Sequence, residues 1–170
     1  MINILSTLFL TLGVTVVGVS QVQEASKPMS RAAALRTLKG CATRPITLGC
    51  SEDTAGYLIK LYEDGDKALL KPLLEAGLTS DGALSEILGD FYSNVLWKKQ
   101  REFLEALKSR PREEQHTLSR LAATTDGSGM SGDMLRDVRR NLSRIGSQRT
   151  RLALVARTCL IEVNKANATN

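Results

Sequence analysis

Histidine occurs once in these 170 residues, proline four times and cysteine three times, and aromatic residues make up only 4% of the chain. A single histidine, His116, excludes a histidine-built metal cluster and a pair of imidazole acid/base groups. The cysteines, Cys41, Cys50 and Cys159, contain no C-x-x-C pair, so no zinc-ligand spacing is encoded. Aromatics, proline and the 13 glycines are too sparse for a many-stranded sandwich, a fibre or a proline-rich chain. No segment alternates apolar and polar residues convincingly with the two-residue period of a half-buried strand. What remains is 42% hydrophobic and 24% charged residues, the balance of one ordinary globular domain rather than of a disordered chain. Such a body holds its core without a metal or cofactor, and none is expected.

The longest apolar run stands at the start. Ile4 to Val19 carries no charge and is interrupted only by Ser, Thr and Gly, which reads as the h-region of a secretory signal. Gly18-Val19-Ser20 supplies small residues for cleavage, so residues 1–20 are expected to be a signal peptide cut after Ser20, with Ala25 the poorer site. The alternative is that residues 4–19 stay as a membrane anchor, although sixteen residues fall just short of a comfortable span. A lipoprotein is not expected, because Leu38-Lys39-Gly40 before Cys41 puts lysine where a lipobox does not take it. Export to a secreted or periplasmic location permits disulfides. Residues 21–50 then read as a linker, a short helix and a loop in which Cys41 and Cys50 flank Pro45 and Gly49. A Cys41–Cys50 bridge closing that loop is worth about 2.7 kcal/mol on the chain-entropy model. Cys159 lies on the apolar stripe of the last helix and reads as a buried thiol; pairing of Cys41 or Cys50 with Cys159 is the competing connectivity.

Residues 51–166 carry the helical domain. Ser30 is placed to cap a helix over 31–39, and Ser51 another, with Glu52 and Asp53 in its first turn. Leu69, Leu70, Leu73 and Leu74 repeat at helical spacing over 67–76, where Pro72 should bend or divide the helix. After Asp81, Leu84, Ile87, Leu88, Phe91, Tyr92, Val95 and Leu96 hold one face; Phe103, Leu104 and Leu107 are out of phase with it, which predicts a break at 98–100. Pro111 should open a helix to about Ala123, Leu135, Val138, Leu142 and Ile145 mark one ending at Gly146, and a last one spans 147–165. Residues 167–170 should fray as a tail.

Helices of ten to seventeen residues joined by short turns predict an all-α fold, a compact bundle or an irregular right-handed stack of antiparallel helical hairpins. The segment Gly65 to Ala123, through its leucine spacing, Pro72 and the Gly65-Asp66 turn, resembles the paired helices of exported bacterial HEAT-like α-solenoid proteins of no assigned activity. The resemblance covers about a third of the chain and implies a scaffold or binding role with no catalytic residues to transfer. No period near forty residues recurs, so a long array is not expected.

Motifs that suggest chemistry lack its context. Gly127-Ser128-Gly129-Met130-Ser131-Gly132 matches G-x-G-x-x-G, but a helix precedes it where a dinucleotide fold requires a strand. As a calcium loop it puts Met130 at a ligand position. His116 sits mid-helix, where a solvated or half-buried role outweighs membership of a Ser-His-Asp triad. Glu86 with Asp90, or Glu113 with Glu114, could serve a small secreted hydrolase using a carboxylate acid/base pair, the alternative function, although such spacing usually marks a solvated face. Charge distribution is more informative. Residues 51–105 hold eleven acids and six bases, whereas 134–157 hold seven arginines and one acid. Arg136, Arg139, Arg140 and Arg144 project away from the apolar stripe of their helix, and guanidinium suits bidentate contact with phosphate or carboxylate; a solvated face pairing with the acidic half is the plainer alternative. The expected function is that of an exported non-enzymatic binding or scaffold module whose partner is a protein, an acidic envelope polymer or an anionic headgroup. A membrane-tethered adaptor is a further alternative, and nucleic acid is not expected, for want of stacking aromatics.

Overall fold

The computed structural model describes residues 29–41, 52–80, 82–124 and 130–168. Eight α-helices account for most of these residues, with no strand among them. They are α1 (Arg31–Cys41), α2 (Glu52–Glu63), α3 (Leu70–Gly77), α4 (Gly82–Lys98), α5 (Gln100–Lys108), α6 (Arg112–Ala122), α7 (Gly132–Gly146) and α8 (Arg151–Ala166). The all-α expectation is met. A Cys41–Cys50 bridge lies outside the described residues, as do the apolar leader and the caps at Ser51 and Asp81.

Local chemistry sets most boundaries. Ser30 Oγ accepts the Ala33 N–H at 3.2 Å, and Thr150 Oγ1 accepts that of Ala153 at 3.2 Å, each satisfying an amide that the first turn leaves unpaired. Residues 147–150 therefore form a turn and α8 starts at Arg151, four residues later than the apolar pattern suggests. The chain does divide near Pro72, but upstream of it. A 3₁₀ turn spans Lys67–Leu69, and Pro72 sits in the first turn of α3, where its missing N–H costs no helical bond. The phase change after Leu96 is a true break: Lys99 leaves the helical region at φ −133° and ψ 41°, and α5 restarts at Gln100.

Helix α4 is central, touching α2, α3, α5, α6 and α7, while α8 packs on α5, α6 and α7. Four aromatics run through the interior. Tyr62 meets Phe91 edge-on at 5.1 Å, Phe91 meets Tyr92 at 5.7 Å and Tyr92 meets Phe103 at 6.4 Å, distances at which such pairs add to plain burial. The Tyr92 hydroxyl donates to the Leu73 carbonyl at 2.6 Å, and burial pushes its pKa well above the ordinary tyrosine range. Its ring lies over Gly77, where a Cβ would come within 2.3 Å of the hydroxyl oxygen, so α3 and α4 approach only because that residue has no side chain. Tyr62 donates to Glu102 at 2.7 Å, tying α2 to α5.

Asn167, the first residue of the expected frayed tail, is held in place. Asn167 is buried, accepting the Met130 N–H at 2.9 Å and donating to the Ala123 and Val163 carbonyls at 3.1 and 2.9 Å. One amide thereby holds the residues on both sides of 125–129 against the end of α8, and these bonds replace the fraying that sequence position alone suggests.

Candidate functional site

The break at Lys99 and the turn between α7 and α8 face each other across a cleft of about 640 Å³, within the size range of ligand pockets. One wall comes from the end of α4 and the outward row of α5, with Trp97, Lys98, Arg101, Glu105 and Lys108. The spacing 101, 105, 108 places these side chains on one face of the helix. Opposite stand Asn141, Arg144 and Ile145 of α7, then Gln148, Thr150 and Arg151. At the base Gln100, buried, donates from Nε2 to the Val138 carbonyl at 3.4 Å and joins α5 to α7.

The cleft is strongly basic. Five cationic side chains and one carboxylate line it, and the carboxylate, Glu105, is paired with Lys108. Among the described residues Lys98, Arg101, Arg144 and Arg151 form no ion pair with an acid; the Lys98 ammonium lies 5.3 Å from the centre of the Trp97 ring. Like charges gathered without counter-charges create a positive potential that raises the local concentration of anions.

The arginine stripe is divided. Arg136 pairs with Asp133 and Arg140 with Asp137, the latter at 2.6 Å, each three residues away on α7. Arg139, half-buried, turns onto α8 and donates from Nε to Asn164 Oδ1 at 2.8 Å. Arg144 alone of the four enters the cleft. Its companions Lys98, Arg101, Lys108 and Arg151 come from segments that single-helix reasoning treats separately. The signals that point to them are the phase break at 98–100 and the extension of the arginine-rich run to Arg151.

A second polar cluster joins α6 to α8. His116 Nδ1 lies 3.0 Å from Glu162 Oε1, and Lys165 donates to the same oxygen at 3.1 Å. Burial pushes the Glu162 carboxyl up, but the bonds from His116 and Lys165 more than reverse it, so its pKa lies below the ordinary carboxylate range. One turn away Ser119 Oγ and Cys159 Sγ are 2.9 Å apart. Cys159 is a buried free thiol, which removes the pairing with Cys41 or Cys50, and burial pushes it up to about 12. A thiol so held is protonated at neutral pH and unreactive. His116 is thus half-buried and oriented by a carboxylate, while Ser119 bonds the thiol.

The carboxylate pairs lie elsewhere. Glu86 is exposed, Asp90 half-buried, Glu113 exposed and Glu114 bound to Arg110 at 3.1 Å; none lines the cleft. Of the glycine motif only Met130, Ser131 and Gly132 fall within the described residues, and Met130 is buried. No group of three or more metal-ligating side chains is present among the described residues. No family model, curated protein or solved structure matches this chain.

Proposed function

We propose that this is an exported, non-enzymatic helical protein that acts as a binding or scaffold module for an anionic macromolecule, with the basic cleft as its contact. The observation that carries the reading is the convergence of Lys98, Arg101, Arg144 and Arg151 on one cleft with no acid paired to them among the described residues. Guanidinium groups from three helices, α5, α7 and α8, present many donors in fixed forks, which suit phosphate and carboxylate. The uncharged run 4–19 and the small residues before position 21 support export, with removal of residues 1–20 as a signal peptide and retention of 4–19 as the tethered alternative. Among the described residues no helix is long and apolar enough to cross a membrane. The packing of consecutive short helices, α1 on α2, α4 on α5 and α7 on α8, supports a HEAT-like scaffold in this role, and a Cys41–Cys50 disulfide would close the loop before α2.

The test is binding of the chain to immobilised polyglutamate at two salt concentrations. R101Q/R144Q/R151Q should lose most binding and most salt dependence, whereas R136Q/R140Q, whose arginines already have partners, should lose little. A larger loss for R136Q/R140Q than for the cleft variant would place the contact on the stripe rather than in the cleft, and undiminished binding by both would remove the basic surface from the account.

A further inference from the structure

Resting on that reading, we infer that the anionic partner is a membrane surface: the cleft receives lipid phosphate while Trp97 and Leu154 enter the interfacial layer. A second, shallower cavity of about 430 Å³ lies over the α7–α8 turn and shares Gln148, Thr150 and Arg151 with the first. It adds Arg149 and Arg157 but no acid, so cations continue around this end of the molecule. Arg157 donates to the Gly146 carbonyl at 2.7 Å.

Charge alone would suit any polyanion. The apolar residues narrow the choice. Only four large hydrophobic side chains are exposed among the described residues, and two of them, Trp97 at 37% and Leu154 at 57%, line these adjoining cavities. A soluble acidic polymer would engage the cations and leave both side chains in water. A bilayer interface accepts all of them together: phosphates meet guanidinium and ammonium groups, the indole sits at headgroup level, and the leucine reaches the acyl boundary. Ile161, 48% exposed, follows Leu154 by seven residues on the same face of α8 and lengthens the apolar line. The arrangement is that of a surface-bound protein, with electrostatic attraction and shallow insertion acting together.

The experiment is co-sedimentation of the full chain with vesicles of phosphatidylcholine alone or with 30% phosphatidylglycerol, beside the polyglutamate assay. All variants keep residues 1–20, so any insertion of that segment cancels in the comparison. The expected result is preference for anionic vesicles. R101Q/R144Q/R151Q should reduce vesicle affinity on the order of 100-fold and also lose most polyglutamate binding. W97S/L154S should reduce vesicle affinity roughly tenfold while leaving polyglutamate binding unchanged. Polyglutamate binding without vesicle binding, or vesicle binding indifferent to W97S/L154S, overturns the membrane inference and leaves the anionic-partner reading in place. Vesicle binding equal for both lipid mixtures and retained by the triple arginine variant overturns it too. Failure to bind either probe overturns both. Circular dichroism of each variant, which alters exposed side chains only, should match the parent.

Discussion

Replacement of Gly77 by alanine tests the packing on which α3 and α4 depend. The added Cβ would stand 2.3 Å from the Tyr92 hydroxyl oxygen and 2.8 and 2.9 Å from ring carbons Cε2 and Cζ. Tyr92 has no exposed surface and its hydroxyl is anchored on the Leu73 carbonyl, so the ring cannot swing aside cheaply. Overfilling a packed interior costs about 1–3 kcal/mol, and the gain in helix propensity from glycine to alanine returns about 0.5–1 kcal/mol. The net loss should be about 1–2 kcal/mol. Tyr92→Phe should cost about 0.5–1.5 kcal/mol through its hydrogen bond. It also removes the nearest clash, so the double variant should be more stable than the sum of the singles by about 0.5 kcal/mol or more. Urea unfolding followed by ellipticity at 222 nm measures all four proteins, and the Gly77→Ala midpoint should fall by roughly 0.5–1 M. A Gly77→Ala protein as stable as the parent, or strictly additive effects in the cycle, would refute the reasoning.

Three other perturbations reach different parts of the structure. The folded Glu162 carboxyl titrates below its ordinary value of 4.5, so its stabilisation is complete above that range and lost as pH falls through the lower folded value; Glu162→Gln should flatten the acid limb of a stability–pH curve, and an unchanged limb would discount the His116–Glu162–Lys165 contact. Cys159 should stay unmodified by a thiol reagent at pH 8 until the protein unfolds, and rapid native-state labelling at Cys159, located by peptide mapping, would contradict its burial. Asn167→Ala leaves the buried Met130 N–H and the Ala123 carbonyl short of a partner, while the Val163 carbonyl keeps the residue 167 backbone N–H, and should destabilise by about 1–3 kcal/mol, as read in a urea titration; no measurable loss would mean the end of α8 is not held by that amide.

Much of the architecture was legible because helical periodicity and chain punctuation agree. The face Leu88, Phe91, Tyr92, Val95 and Leu96 is buried as its spacing implies, and the phase shift to Phe103, Leu104 and Leu107 located a break that no glycine or proline marks. The start of α8 was not legible, because Ser147 and Thr150 can both cap a helix and only tertiary packing selects Thr150. The burial of Asn167 depends on contacts with residues 37 and 44 positions away, which no local pattern carries. The candidate site was legible only in part. The arginine run was visible, but local acids three residues away pair with Arg136 and Arg140, and Arg139 turns to Asn164. The cations that join Arg144 come from helices brought together by the fold. Likewise, Glu162 offered no sign of pairing with His116, 46 residues distant.

The chain has a single tryptophan, and it lines the cleft, so its fluorescence reports directly on the surface in question. Titration with vesicles containing phosphatidylglycerol should shift Trp97 emission to the blue and saturate, with no shift for phosphatidylcholine alone and none for R101Q/R144Q/R151Q. Full binding to the anionic vesicles with Trp97 emission unmoved would show that the protein meets its partner elsewhere.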